Sequence, residues 1–223
     1  MKKIFITLAA AACLFFACDS DHSNEFNKID RRDVAGYEAF IRKYPESRHV
    51  QDAQERIEAA LEQQRLDQEF EKQMQLEYQY GSNSLSNNSE PYSKWYGSNA
   101  YYDDYTPHSE INVRASSSSD VIVIVRYNNS NGAVAGHRYI KAGCSGTIYL
   151  KNQNRYQVFF YHGNGWYPGK AMGNGIVGGF VKDESFTKDE SVQYLNNEIL
   201  TYTLTQQQFG NFAPGKSNQN EIF

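Results

Sequence analysis

Asp120-Val-Ile-Val-Ile-Val-Arg-Tyr127 is the stretch on which the fold turns. Five consecutive β-branched residues, Val121 to Val125, favour an extended strand packed on a pleated surface. A strand with one wet face alternates apolar and polar residues, and this one does not. It therefore reads as a central strand with both faces covered, the second by the aromatic segment upstream or by a helix.

Outward from it the pattern repeats. Residues 128–132 form a turn, and residues 134–142, 147–150 and 155–161 are short strand-like runs bounded by Gly or Asn. Residues 178–181, 199–205 and 221–223 complete the set, and the strand pattern begins near Glu110. Short strands with regular turn signals predict a β-sandwich.

Upstream the period changes. Val34, Tyr37, Phe40, Ile41 and Tyr44 recur every three or four residues, the spacing of one helix face. Pro45 ends that helix, because the residue before proline is pushed out of the α region. Ser47 is placed to cap a second helix carrying Val50, Ala53, Ile57, Ala60 and Leu61, with no breaker before Gly81. Its later part is rich in Glu and Gln, with a thinner stripe of Leu66, Phe70 and Met74. The predicted class is α+β: an N-terminal helical hairpin followed by a C-terminal antiparallel β-sandwich. The predicted boundaries are a leader at 1–17, a tether at 18–29, the hairpin at 30–80, a Ser/Asn-rich linker at 81–90 and the β domain at 91–223.

The first residues carry an address. Met1-Lys2-Lys3 precedes the apolar run 4–16 and then Ala17-Cys18-Asp19, the layout of a signal peptide. That run is too short for a spanning helix, which needs about 20 residues. Leu14-Phe15-Phe16-Ala17-Cys18 resembles the lipobox of bacterial lipoproteins. The resemblance implies cleavage before Cys18 and a diacylglyceryl group on its sulfur, hence a membrane partner through an N-terminal lipid. Asp19, Asp21 and Glu25 after that cysteine resemble the surface-export signal of Bacteroidetes-type lipoproteins. This implies an outer-membrane, surface-exposed location in the cell envelope, whereas in other Gram-negative bacteria an Asp beside that cysteine implies inner-membrane retention.

Two further resemblances concern the body. Tyr37-Glu-Ala-Phe-Ile-Arg-Lys-Tyr-Pro-Glu-Ser47, with Ala53 and Ile57, resembles one helix pair of a tetratricopeptide-like repeat, of the kind found in outer-membrane assembly lipoproteins. No second copy follows, whereas a solenoid needs about three. A lone pair packs on the rest of the chain, a twin or a partner protein. The β region resembles a domain recurring in Bacteroidetes-type lipoproteins, on Tyr92-Ser-Lys-Trp-Tyr-Gly97, Tyr156-Gln-Val-Phe-Phe-Tyr161, Gly163-Asn-Gly-Trp166, Leu200-Thr-Tyr-Thr-Leu204 and Gly210-Asn-Phe212. That resemblance implies location and fold but no chemistry.

Composition narrows the function classes. The 223 residues carry a net charge of −4 without a Lys/Arg cluster, so nucleic acid is not an expected partner. Cys13 lies in the leader and Cys18 is the lipid site, which leaves Cys144 alone and without an intramolecular disulfide partner.

Residues 163–170 superficially match a phosphate-binding loop, but Ala171 stands where Ser or Thr must ligate magnesium, and the glycines that follow oppose a helix. The segment reads instead as a mobile surface loop. Gly143-Cys-Ser-Gly146 admits a Cys144 nucleophile with His137 or His162 as base, against a tight turn between strands. The turn is the favoured reading. Asp183, Glu184, Asp189 and Glu190 read as a solvated acidic loop lacking the ligand ladder of a calcium loop. The five histidines are scattered, so neither metal nor other cofactor is expected.

The 17 tyrosines and two tryptophans carry the remaining signal. Trp95, Tyr96 and Tyr101 before the strands, with Trp166 and Tyr167 in the glycine-rich segment, form a candidate binding platform for a sugar or a protein. The competing reading makes the same rings a cover for the open side of the sandwich. Burial is expected for Trp95 and exposure for Trp166, because the latter is flanked by Gly165 and Pro168-Gly169. The functional expectation is a non-enzymatic, lipid-anchored envelope protein acting as a binding or interaction module, with surface carbohydrate binding as the alternative.

Overall fold

Strand formation at 120–127 organises the larger part of the chain. The computed structural model describes residues 22–99, 105–204 and 214–223. The leader, Cys18 and Tyr101 lie outside the described residues. Two compact units divide between Lys72 and Gln73, inside a helix that the sequence reading carried on to an 81–90 boundary.

The first unit is helical. α1 (Ser23–Phe26), α2 (Val34–Lys43) and the start of α3 (Val50–Tyr80) surround a core of Phe26, Tyr37, Phe40 and Ala53, with Ile41, Tyr44 and Ile57 against it. Asp33 caps α2 by accepting the Gly36 amide at 2.9 Å. The Ser47 hydroxyl accepts the His49 amide at 3.3 Å, just ahead of α3. Phe26 also corrects the sequence reading. It is 2% exposed, so part of the presumed polar tether belongs to the core.

Among its described residues the second unit holds nine strands: β1 (His108–Arg114), β2 (Asp120–Tyr127), β3 (Val134–Ile140), β4 (Ser145–Lys151), β5 (Asn154–Ala171), β6 (Val177–Asp189), β7 (Gln193–Leu195), β8 (Ile199–Thr203) and β9 (Pro214–Lys216). One sheet runs β4-β1-β8; the other runs β3-β2-β5-β6-β9, with β7 also on β5. Among the described residues every pairing is antiparallel except β1 with β8. The α+β class and the sandwich arrangement are as expected.

β2 has the two covered faces that its sequence requires. Val121, Val123 and Val125 enter a core with Ile111, Ile148, Phe160 and Tyr202. Ile122 and Ile124 enter a second core with Tyr92, Tyr161, Trp166, Phe180 and Phe223. The second face is thus closed by the aromatic segment, including α4 (Ser93–Tyr96), and by α5 (Gln219–Ile222). α5 replaces the strand expected at 221–223, since Asn218 caps it by accepting the Glu221 amide at 3.1 Å.

Three further expectations are corrected. Residues 163–170 are not a mobile loop but the second half of β5, paired with β6. Their glycines serve close packing: a Cβ at Gly163 would collide with Phe180. Residues 183–189 are likewise strand rather than acidic loop. The Ser/Asn-rich 81–90 segment is a strap along the edge of β3. The Asn88 and Tyr139 amides donate to Tyr139 O and Ser89 O, each at 2.8 Å, and Asn87 accepts the Lys141 amide at 2.9 Å. Such bonds satisfy backbone groups that an exposed edge would leave open.

Candidate functional site

The expected platform is not assembled from its four described members. Trp95 and Tyr96 are half-buried on α4 and pack with Tyr92 over the Ile122/Ile124 face. The Arg126 guanidinium lies 5.8 Å from the Tyr96 ring centre. Burial raises the pKa of the Tyr96 hydroxyl, with Arg126 opposing the rise. Trp166 is 4% exposed and Tyr167 7%, which corrects the exposure expected for Trp166. Neighbouring residues on a strand point to opposite faces, so these two rings are not one flat surface. Trp166 joins the second core, while Tyr167 meets Tyr80 with ring centres 6.4 Å apart.

Two polar clusters of the β unit are engaged in contacts between strands. The Tyr161 hydroxyl donates to Glu184 Oε1 at 2.5 Å and accepts the Phe180 amide at 2.7 Å. Lys170 pairs with Glu184 at 2.7 Å and also donates to Phe180 O. Burial, followed by the bond to Glu184, pushes the Tyr161 hydroxyl pKa far up, so it stays protonated. Asp189, 2% exposed, accepts from Tyr202 Oη at 2.7 Å, Gln193 Nε2 at 2.8 Å and the Ser191 amide at 2.9 Å. Both clusters tie strands together. No group of three or more potential metal ligands occurs among the described residues.

The cysteine pairing is not assembled with His137. Cys144 closes a turn in which its amide donates to Lys141 O at 2.9 Å and Gly143 has φ +72°, the left-handed position such turns assign to glycine. Its side chain packs on the core containing Val121 and Phe160. His137 instead meets Tyr92 and Tyr96, and its Nε2 accepts the Tyr92 amide at 3.0 Å. Desolvation lowers the pKa of both His137 and His162 to about 4.

An open feature that sequence reasoning missed lies where β1 begins and β7 turns into β8. Tyr105, Pro107, His108, Glu110, Asn197 and Ile199 line a hollow of about 480 Å³. Tyr105 is 93% exposed and Ile199 67%. Asn152 fixes the two walls, accepting from Ser109 Oγ at 2.6 Å and the Asn197 amide at 2.7 Å. The His108 ring is held at Nδ1 against Thr106 O at 2.7 Å, and Nε2 lies 3.4 Å from Glu110 Oε1. An aromatic face beside a carboxylate, an amide and an imidazole suits a ligand with both apolar faces and hydroxyls. The one sequence signal was Tyr105 itself, since its opposite wall lies about 90 residues away.

No family model matches the chain, and no curated protein does. Among solved structures, one titled "Trapped Toxin" aligns with 50% of this chain and 23% of its own length, at 14% identity and a TM-score of 0.24. That likeness is too small to carry an argument.

Proposed function

We propose that this chain is a lipid-anchored, non-enzymatic protein of the cell envelope whose folded body serves as an interaction module. The observation that carries the reading is the N-terminal order of two lysines, a short apolar run and Cys18-Asp19. Two acyl chains would make the anchor stable, since each buried methylene contributes about 0.8 kcal/mol. No described helix is long and apolar enough to cross a membrane, so among those residues no helical alternative to a lipid competes. The outer membrane, with display at the surface, is the location implied by the acidic residues after Cys18. Glu184 and Asp189 are engaged in contacts between strands and Cys144 sits in a turn, which gives each a structural role.

Metabolic labelling with radioactive palmitate tests the anchor. The full chain should incorporate label and fractionate with membranes in high salt, and Cys18→Ala should lose both. Membrane retention of Cys18→Ala in high salt overturns the anchor.

A second reading, surface carbohydrate binding, is supported by the hollow at Tyr105, His108, Glu110 and Asn197 rather than by the original five aromatics. Glycan-array binding that is abolished by Tyr105→Ala supports it. Binding unaffected by that change removes it.

A further inference from the structure

Leu66, Phe70, Met74 and Tyr78 form an apolar row along the solvent side of the single helix α3. They are 45%, 65%, 51% and 95% exposed, respectively. A continuous exposed row of large apolar side chains is unusual on a soluble surface and marks a contact site. Twelve residues of helix at 1.5 Å each make the row about 18 Å long.

The spacing restricts what covers it. Steps of four, repeated three times, follow the i±4n ridge of a helix rather than the alternating three-four seam of a coiled coil. Two such ridges interlock with the helix axes crossing at about −50°. The row is therefore suited to one helix crossing obliquely, not to a long parallel zipper.

Charge restricts it further. At about 100° per residue, Asp67, Glu71 and Glu77 project beside the apolar row, whereas Arg65 and Lys72 project from the far side of the helix. Arg65 is also held there by Glu62 at 2.6 Å and Glu69 at 2.7 Å. A second copy would bring carboxylates against carboxylates, and an anionic lipid surface would be repelled. A partner with basic flanks would be attracted.

We propose that α3 between Leu66 and Tyr78 is a docking ridge for an amphipathic helix of another protein, with an apolar face bordered by Lys or Arg. The proposal rests on the interaction-module reading but not on the anchor. Palmitate labelling and the binding test below can therefore fail separately.

The test uses the full chain carrying Cys18→Ala and two synthetic helical peptides with one shared leucine face. One peptide has lysine at the flanking positions and the other glutamate. The lysine peptide should bind at least ten times more tightly at low salt. Phe70→Ser should weaken it tenfold or more, while Gln68→Ser, on the far side of α3, should change it less than twofold. Asp67→Lys combined with Glu71→Lys and Glu77→Lys should reverse the preference between peptides. Circular dichroism should show unchanged helix content in every variant, because Asp67, Gln68, Phe70 and Glu71 are exposed and Glu77 is only half-buried. Equal binding of the two peptides, or indifference to Phe70→Ser, overturns the proposal. Self-association in sedimentation that Phe70→Ser abolishes overturns it in favour of a second copy. Binding to phosphatidylcholine vesicles that Phe70→Ser abolishes overturns it in favour of lipid.

Discussion

Trp166 lies against Gly178 so closely that a Cβ at Gly178 would stand 2.6 Å from the indole Cζ2. Gly178 also has φ +106°, a conformation that side-chain-bearing residues rarely adopt. The glycine-rich β6 segment thus makes the slot that the indole fills.

Trp166→Ala should accordingly destabilise the β unit by about 3–5 kcal/mol. Gly178→Ala should also lower stability, through the collision and the backbone strain together. Denaturant unfolding monitored by near-ultraviolet circular dichroism checks both. A midpoint unchanged in Trp166→Ala would mean that the ring is not part of the core.

The same pair shows why some of the fold was legible and some was not. Val121 to Val125 announced a central strand because burial on both faces removes alternation from the sequence itself. Residues 163–171 hid their strand, because glycines that allow close packing, as Gly163 does against Phe180, look locally like flexible loop. The parallel contact of β1 with β8 joins segments about 90 residues apart and leaves no local signature. The Tyr105 hollow was hidden for that reason, since Ile199 reaches it through this pairing and Asn197 through Asn152. The 81–90 strap was misread because Ser and Asn serve flexible linkers and edge-capping hydrogen bonds alike.

Acid should destabilise the β unit through two histidines. Burial holds His137 and His162 at a pKa of about 4, against about 6.5 when unfolded. Around His137, Glu90 opposes this depression and Arg138 adds to it. The unfolded chain binds more protons between these values, so stability falls as pH drops from about 6.5 to 4 and levels off below. Each histidine contributes about 3 kcal/mol across the full window. Denaturant midpoints at pH 7.5, 5.5 and 4.5 should decline in order, and His162→Gln should flatten the decline. A flat profile in the unaltered chain would mean that neither ring is held neutral by burial.

In the helical unit, Phe26 and Phe40 meet with ring centres 5.4 Å apart, and both are nearly fully buried. Phe40→Ala should cost about 3 kcal/mol or more. Phe26→Ala should cost a similar amount, which would establish that the segment before residue 30 is part of this fold. Limited proteolysis of the unit, read by mass spectrometry, checks both. A Phe26→Ala chain as resistant as the unaltered one would return that segment to the tether.

Asp189 at the end of β6 holds Tyr202 of β8 and so links the two sheets. Burial, then the bond to Asp189, raises the Tyr202 pKa far above its ordinary value, so the phenol remains a donor throughout the accessible pH range. Tyr202→Phe would leave one oxygen of a buried carboxylate with only Gln193, and removing a donor from such a group costs about 1–3 kcal/mol. Asp189→Asn replaces the charged acceptor and should cost a comparable amount. Because both changes break the same contact, the double variant should be less destabilised than the sum of the singles, with a coupling of about 0.5–3 kcal/mol. Equilibrium unfolding of the four proteins gives that coupling directly. Strict additivity would show that the tyrosine and the aspartate stabilise their strands independently, and that the sheets are joined by the apolar core alone.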